Sequence, residues 1–239
     1  TEPYESAINP IGNPECRSGL EEMASHEGWP DAIVGFADLS DPKARALLEA
    51  HAAFPRMRGI RQILNWQEEP RLRSVARADL MDDRAWREGF GLLAPLGLSF
   101  DLQIYWQQAD EALRLARAFP ETRIVLDHTV MMSGRSAEEI AGWRCAVRRL
   151  ATADNIAIKL SGFGLGNRSW TLDTTLPLLR HAIDCFGPGR TMVGTNLPVD
   201  RLFATPERII SAIRAAVLDL SAAERRAILR TTAERFYRI

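Results

Sequence analysis

The stretch Arg123-Ile124-Val125-Leu126-Asp127-His128-Thr129 decides how the chain is read, because an apolar run stops abruptly at three polar residues. Ile124 to Leu126 shows no polar alternation, as expected of a strand covered on both faces, and that is the pattern of a parallel sheet. In parallel α/β folds ligands sit at the carboxyl ends of the strands, so Asp127 and His128 fall where chemistry is expected. An imidazole there can ligate a metal, act as a base or orient a substrate; a hydrogen-bonded loop histidine gives the same pattern.

Outward from this stretch the same unit repeats. Candidate strands at Ala32 to Ala37, Gly59 to Leu64, Leu98 to Tyr105, Asn155 to Leu160 and Arg190 to Val193 alternate with amphipathic segments that carry helix start signals. Asp41-Pro42 opens one helix, with Leu47, Leu48 and Ala52 on one stripe. Trp86, Phe90 and Leu93 form the buried face of a second, which Gly97 would stop. Ser136 with Glu139, and Ser221 with Glu224, have the spacing of capping boxes, and Thr205-Pro206 opens a further helix. The helix after Ser136 would bury Ile140, Trp143, Val147 and Leu150.

Six strand–helix units of about 30 residues predict an α/β fold of the TIM-type (β/α)8 barrel, with the first units missing from this chain. The leading segment offers a strand tail near Pro3 to Ala7 and a helix near Pro14 to Ser25. No linker or composition shift divides residues 1–239, so they read as one barrel domain, N-terminally incomplete. An open doubly wound sheet is the competing architecture, but its Gly-rich phosphate turn is missing, and no nucleotide cofactor is expected.

The 239 residues are 46% hydrophobic and 26% charged, with 31 acidic against 30 basic side chains and a net charge of −1. That balance leaves no electrostatic footprint for nucleic acid or an anionic membrane. No apolar run approaches the ~20 residues of a membrane helix. Cys16, Cys145 and Cys185 are widely spaced, read as buried small hydrophobes, and fit a reducing, cytoplasmic location. A small-molecule substrate is the partner these features leave, with homo-oligomerisation open.

Polar residues inside the apolar runs are the candidates for function. Lys159, one of two lysines, either holds an anionic substrate group or pairs with a carboxylate of a neighbouring strand. Arg58 and Arg61 fall on opposite faces of their strand, so at most one points into a site. Asp101 and Gln103 share a face, and a lumen position suits both. Gly194 to Asp200 follows the last strand, where Asn196 and Asp200 are either site residues or an Asx turn. His26, His51 and His181 read as surface or packing residues. No Ser-His-Asp order, P-loop, GxSxG, HExxH or Cys/His zinc cluster is present.

The stretches RGIRQILNW (58–66), LSFDLQIY (98–105), FPETRIVLDHT (119–129), NIAIKLSG (155–162), FGPGRTMVGTNLPVD (186–200) and the terminal AERFYRI, in that order, resemble the amidohydrolase-related proteins. The nearest branch is the lactonase-like one, which includes sugar-lactone hydrolases and 2-pyrone-4,6-dicarboxylate lactonase. The resemblance runs from Ile33 to Ile239. It implies a (β/α)8 barrel that hydrolyses a lactone or related ester of a small acidic or sugar-derived substrate. A metal-dependent decarboxylase of an aromatic or unsaturated acid, and a catalytically silent barrel that binds a small acid, are the alternatives.

Residue by residue, the resemblance makes His128 and Asn196 catalytic candidates, and Arg61, Gln103, Lys159 and Ser161 substrate-binding ones. It admits a divalent metal, zinc or manganese. Asn196 stands where many members carry the aspartate that activates water, and an amide cannot accept a proton as a carboxylate does. After His128 the chain reads Thr129-Val130-Met131-Met132, where a Gly and a Pro are usual. The family's first-strand His-x-His pair is absent, which leads to the expectation of roughly 60 to 70 residues, two units of about 30, ahead of Thr1.

Overall fold

The computed structural model describes residues 30–239, together with residues 22 and 26–28. The strand tail near Pro3 to Ala7, the helix near Pro14 to Ser25 (Glu22 apart) and Cys16 lie outside the described residues. Six strands form one parallel sheet in sequence order: β1 (Ile33–Phe36), β2 (Met57–Ile63), β3 (Ser99–Gln103), β4 (Ile124–Leu126), β5 (Ile156–Leu160) and β6 (Thr191–Val193). Helices α1 (Ala44–Ala52), α2 (Arg84–Phe90), α3 (Ala109–Ala118), α4 (Ala137–Leu150), α5 (Leu172–Phe186) and α6 (Pro206–Ala216) follow the strands in turn. After α6 come α7 (Ala222–Arg226), a π-turn at Ala227–Thr231 and α8 (Thr232–Tyr237). All six strands read from the apolar runs are present. They are joined as consecutive (β/α) barrel units.

Register sorts the side chains into two faces. Phe36, Arg61, Asp101, Val125 and Ala157 are level across β1 to β5 and share one face, because each pairs with the next. The alternate residues Ile60, Phe100, Leu102, Ile124, Leu126, Ile158 and Leu160 are fully buried under the helices. There Trp86 stacks on Phe90 at 5.2 Å, and Phe100 meets both edge-on. Gln62 also points to this helix side, where its Oε1 accepts a 2.8 Å hydrogen bond from Trp86 Nε1. On the other face, Val125, Ala157 and Met192 are covered by Phe236 and Tyr237 of α8. That cover gives a parallel sheet the second apolar layer it needs.

Local departures from the sequence reading have physical causes. Helix α2 stops at Phe90 rather than Gly97, because Gly91 caps it and Pro95 lacks the N–H that would bond to the Gly91 carbonyl. Gly97 sits instead at φ 70°, in the turn before β3. Ser136 caps α4, but the carboxylate of Glu139 does not return the bond: it accepts from Trp106 Nε1 and Ser133 Oγ, each at 2.9 Å. The Ser221 and Glu224 box is complete. His51 packs, as expected, with its ring against Gly35 and Nε2 at 3.0 Å from the Phe36 carbonyl. Cys145 is exposed and Cys185 half-buried, both outside disulfides. No helix among the described residues is long and apolar enough to cross a membrane.

One amide ties the α3 to β4 connection to β5. Asn155 Nδ2 donates to the carbonyls of Ala116, Phe119 and Thr122 at 3.0, 3.1 and 3.0 Å. Asn155→Ala is therefore expected to cost about 2 kcal/mol, read as a lower urea midpoint with an unchanged slope.

Candidate active site

A cavity of about 540 Å³ is walled from Phe36 on β1, through Arg61, Gln103, His128 and Lys159, to Asn196 after β6. Residues from both ends of the strand order meet there, so the sheet curves around the cavity. Of the candidates, Arg61, Asp101, Gln103, His128, Lys159 and Asn196 come together on it. Arg58 is turned away, donating to the Pro55 and Met57 carbonyls at the amino end of β2. Ser161 stands behind His128 rather than on this wall.

Two cations and two carboxylates form the floor. Lys159 pairs with Asp101 of β3 and lies 3.0 Å from Asp127 Oδ1, so it adopts the carboxylate-pairing alternative. Asp101 accepts two further contacts from the Tyr237 hydroxyl, at 3.0 and 2.8 Å, as a carboxylate can. Arg61 Nε lies 3.0 Å from Asp127 Oδ2, an ion pair in which the N–H is not aimed at the oxygen. Arg61 Nη2 donates to Gln103 Oε1 and, at 3.0 Å, to His128 Nε2.

These contacts set the charge states. Burial pushes the Asp101 carboxyl up despite Lys159. Burial acts on Asp127 too, but the charges of Lys159 and Arg61 outweigh it and hold that carboxyl below the usual range. Burial lowers Lys159 as well, yet Asp101 and Asp127 more than reverse it, leaving the ammonium well above its ordinary value. Burial brings His128 down to about 3, with Arg61 and Lys159 adding to it against the pull of Asp127. Because Arg61 can only donate, His128 Nε2 is an acceptor and the proton sits on Nδ1, which donates to Ser161 Oγ at 3.1 Å.

His128, Thr129 and Val130 have φ values of 54°, 59° and 58°. Left-handed backbone costs about 1–2 kcal/mol for a non-glycine residue, and a β-branched valine suits it least. Val130 takes this conformation all the same. Gly162 lets the turn approach, since a Cβ there would lie 2.6 Å from His128 Cβ. Asn196, at φ 52°, also lines the cavity and donates from Nδ2 to Asp200 Oδ1 at 3.0 Å. Asp200 points away from the cavity, its Oδ2 accepting from the Phe163 N–H at 3.1 Å, and burial pushes its carboxyl up.

The donor set does not fit a metal by itself. Among the described residues no three His, Cys, Asp or Glu side chains converge, and both His128 nitrogens are engaged. Sequence reasoning missed Tyr237 and the contact that Trp143 makes with the turn after His128. A terminal aromatic pair and a helix-stripe tryptophan both look like ordinary core.

Residues 20–239 match the Amidohydrolase family. The chain belongs to it. Among its relatives, an uncharacterised protein of Sinorhizobium fredii, y4mH, is 39% identical over 97% of this chain and 76% of its own length. An L-fucono-1,5-lactonase of Burkholderia multivorans is 31% identical over 91% of this chain and 75% of its own. A crystal structure of an amidohydrolase from the same organism with bound zinc superposes with a TM-score of 0.82 at 28% identity, covering 95% of this chain and 80% of that one.

Lys159→Met would leave Asp101 and Asp127 buried without their ammonium, at an expected cost of about 3–5 kcal/mol near neutral pH. The depressed Asp127 pKa means that its pairing stabilises the fold above the ordinary carboxylate range and is lost as pH falls through its folded value. The raised Lys159 value means that its share is present below the ordinary lysine range and is lost only as pH rises through the folded value. The variant's deficit should therefore shrink between about pH 7 and pH 4, as the carboxylates take up protons, in urea unfolding at both pH values.

Proposed function

We propose that this amidohydrolase hydrolyses a small, uncharged, sugar-derived lactone. The observation that carries the reading is the Arg61 guanidinium, held on one edge by Gln103, His128 and Asp127 while its Nη1 hydrogen-bonds to none of the described residues at the cavity wall. Water adds to the ring carbonyl, the ring C–O bond breaks, and the product is a hydroxy acid. Charge develops on the carbonyl oxygen, and a fixed guanidinium N–H pair is the group here that can receive it. His128 and Gln103 keep that cation from rotating.

Charge balance supports an uncharged substrate. Lys159 and Arg61 are matched by Asp101 and Asp127, and His128 is neutral, so the array keeps no surplus cation for a substrate carboxylate. The relatives named for lactonase activity on a sugar lactone agree with this reading. Asn196 presents an amide fixed by Asp200, suited to orienting water rather than deprotonating it. No step is drawn through a metal, since the described donors do not make a site for one.

A panel of aldono-1,5-lactones, followed by acid release at constant pH with and without chelator, tests the proposal. Arg61→Met and His128→Ala should each lower kcat/KM by about a hundredfold or more. Unchanged kcat/KM in either variant on a confirmed substrate, or carbon dioxide release without ring opening, would overturn it.

A further inference from the structure

We propose that Trp143, which lies off the main cavity on α4, is the positioning residue for His128. Its indole N–H is shared between the carbonyls of Thr129, at 2.8 Å, and Val130, at 2.9 Å. The role in turnover rests on the lactonase reading; the placement of the imidazole does not.

Three consecutive non-glycine residues in left-handed backbone do not hold themselves. Their carbonyls leave the β4 ladder and are enclosed by protein, where an unpaired carbonyl is disfavoured. Trp143 is fully buried and supplies the donor for two of them. The Thr129 hydroxyl secures the other side, donating toward the Ser161 and Lys159 carbonyls at 3.2 and 3.3 Å. Beyond the turn, Met131 N–H bonds to the Ile104 carbonyl and Trp106 N–H to the Met131 carbonyl, each at 3.0 Å. The turn is thus pinned past its end on β3's continuation and in its middle by one indole. Without that indole, Thr129 and Val130 relax toward ordinary φ, and the imidazole swings off Arg61 and Ser161.

The charged groups facing His128 are Asp127 at the end of β4, Arg61 on β2 and Lys159 on β5; Ser161, after β5, contributes a neutral hydroxyl. Held among them and out of water, the ring is neutral down to about 3. Released into the cavity it returns toward its ordinary value of about 6.5.

The test is Trp143→Phe, which keeps the ring and removes the N–H. His128 ring resonances are assigned against His128→Gln and titrated by NMR, and lactone turnover is measured in parallel. In the unaltered protein His128 should stay unprotonated to below about pH 5, whereas in Trp143→Phe its midpoint should rise above that value. Turnover should lose about tenfold to a hundredfold in kcat with little change in KM, and gain a fall on the acid side. Trp143→Phe combined with Val130→Gly should recover both, because glycine adopts the left-handed turn without help. An unchanged His128 titration in Trp143→Phe overturns the proposal, and so does a loss that Val130→Gly fails to rescue. If the single variant does not fold, recovery of folding in the double variant supports the proposal and continued unfolding overturns it.

Discussion

Lys159 brings a full positive charge to the concave face of the sheet, level with Met192 and next to the inward pair Val125 and Ala157. An ammonium in that place is tolerable only when its neighbours neutralise it. Asp101 and Asp127 do so from β3 and from the end of β4, and each then needs a second partner. Tyr237 is that partner for Asp101 and Arg61 for Asp127. Because Arg61 is fixed in this way, it offers His128 Nε2 a donor in a set place. The geometry of the cavity wall follows from one lysine outward.

The barrel units were legible because two-sided burial leaves a plain mark: short runs such as Ile124 to Leu126 and Ile156 to Ile158 without alternation, each ahead of a capped helix. The inward positions of Asp101, Gln103 and Lys159 were legible for a related reason, since a polar residue inside such a run must have somewhere to go, while alternation alone left the choice between Arg58 and Arg61 open. The partners themselves were not. Nothing local marks that Lys159 meets Asp101, 58 residues away, and the open choice between substrate anion and strand carboxylate needed register to decide it. Glu139 looked like half of a capping box because spacing records the helix start and not the indole of Trp106 beside it.

The turn after β4 shows how a sequence can break a local rule and still fold. Thr129 and Val130 stand where backbone preference calls for glycine, and their presence moves the work of shaping the turn from the residue to its surroundings. Trp143, the Thr129 hydroxyl and the missing side chain at Gly162, against which His128 packs, together replace what a glycine would have done alone. A turn built this way has fewer accessible shapes than a glycine turn, so His128 is offered to the cavity in one orientation.

Tyr237 and Asp101 are 136 residues apart, yet one hydroxyl joins them beneath the cavity. The strands can pair in sequence order through short-range crossovers, and none of those steps brings this hydroxyl into place. Tyr237 belongs to α8, which also lays Phe236 over Val125, Ala157 and Met192 on the same face of the sheet. Apolar cover for this face and a hydroxyl for its buried charges therefore come from the same short helix.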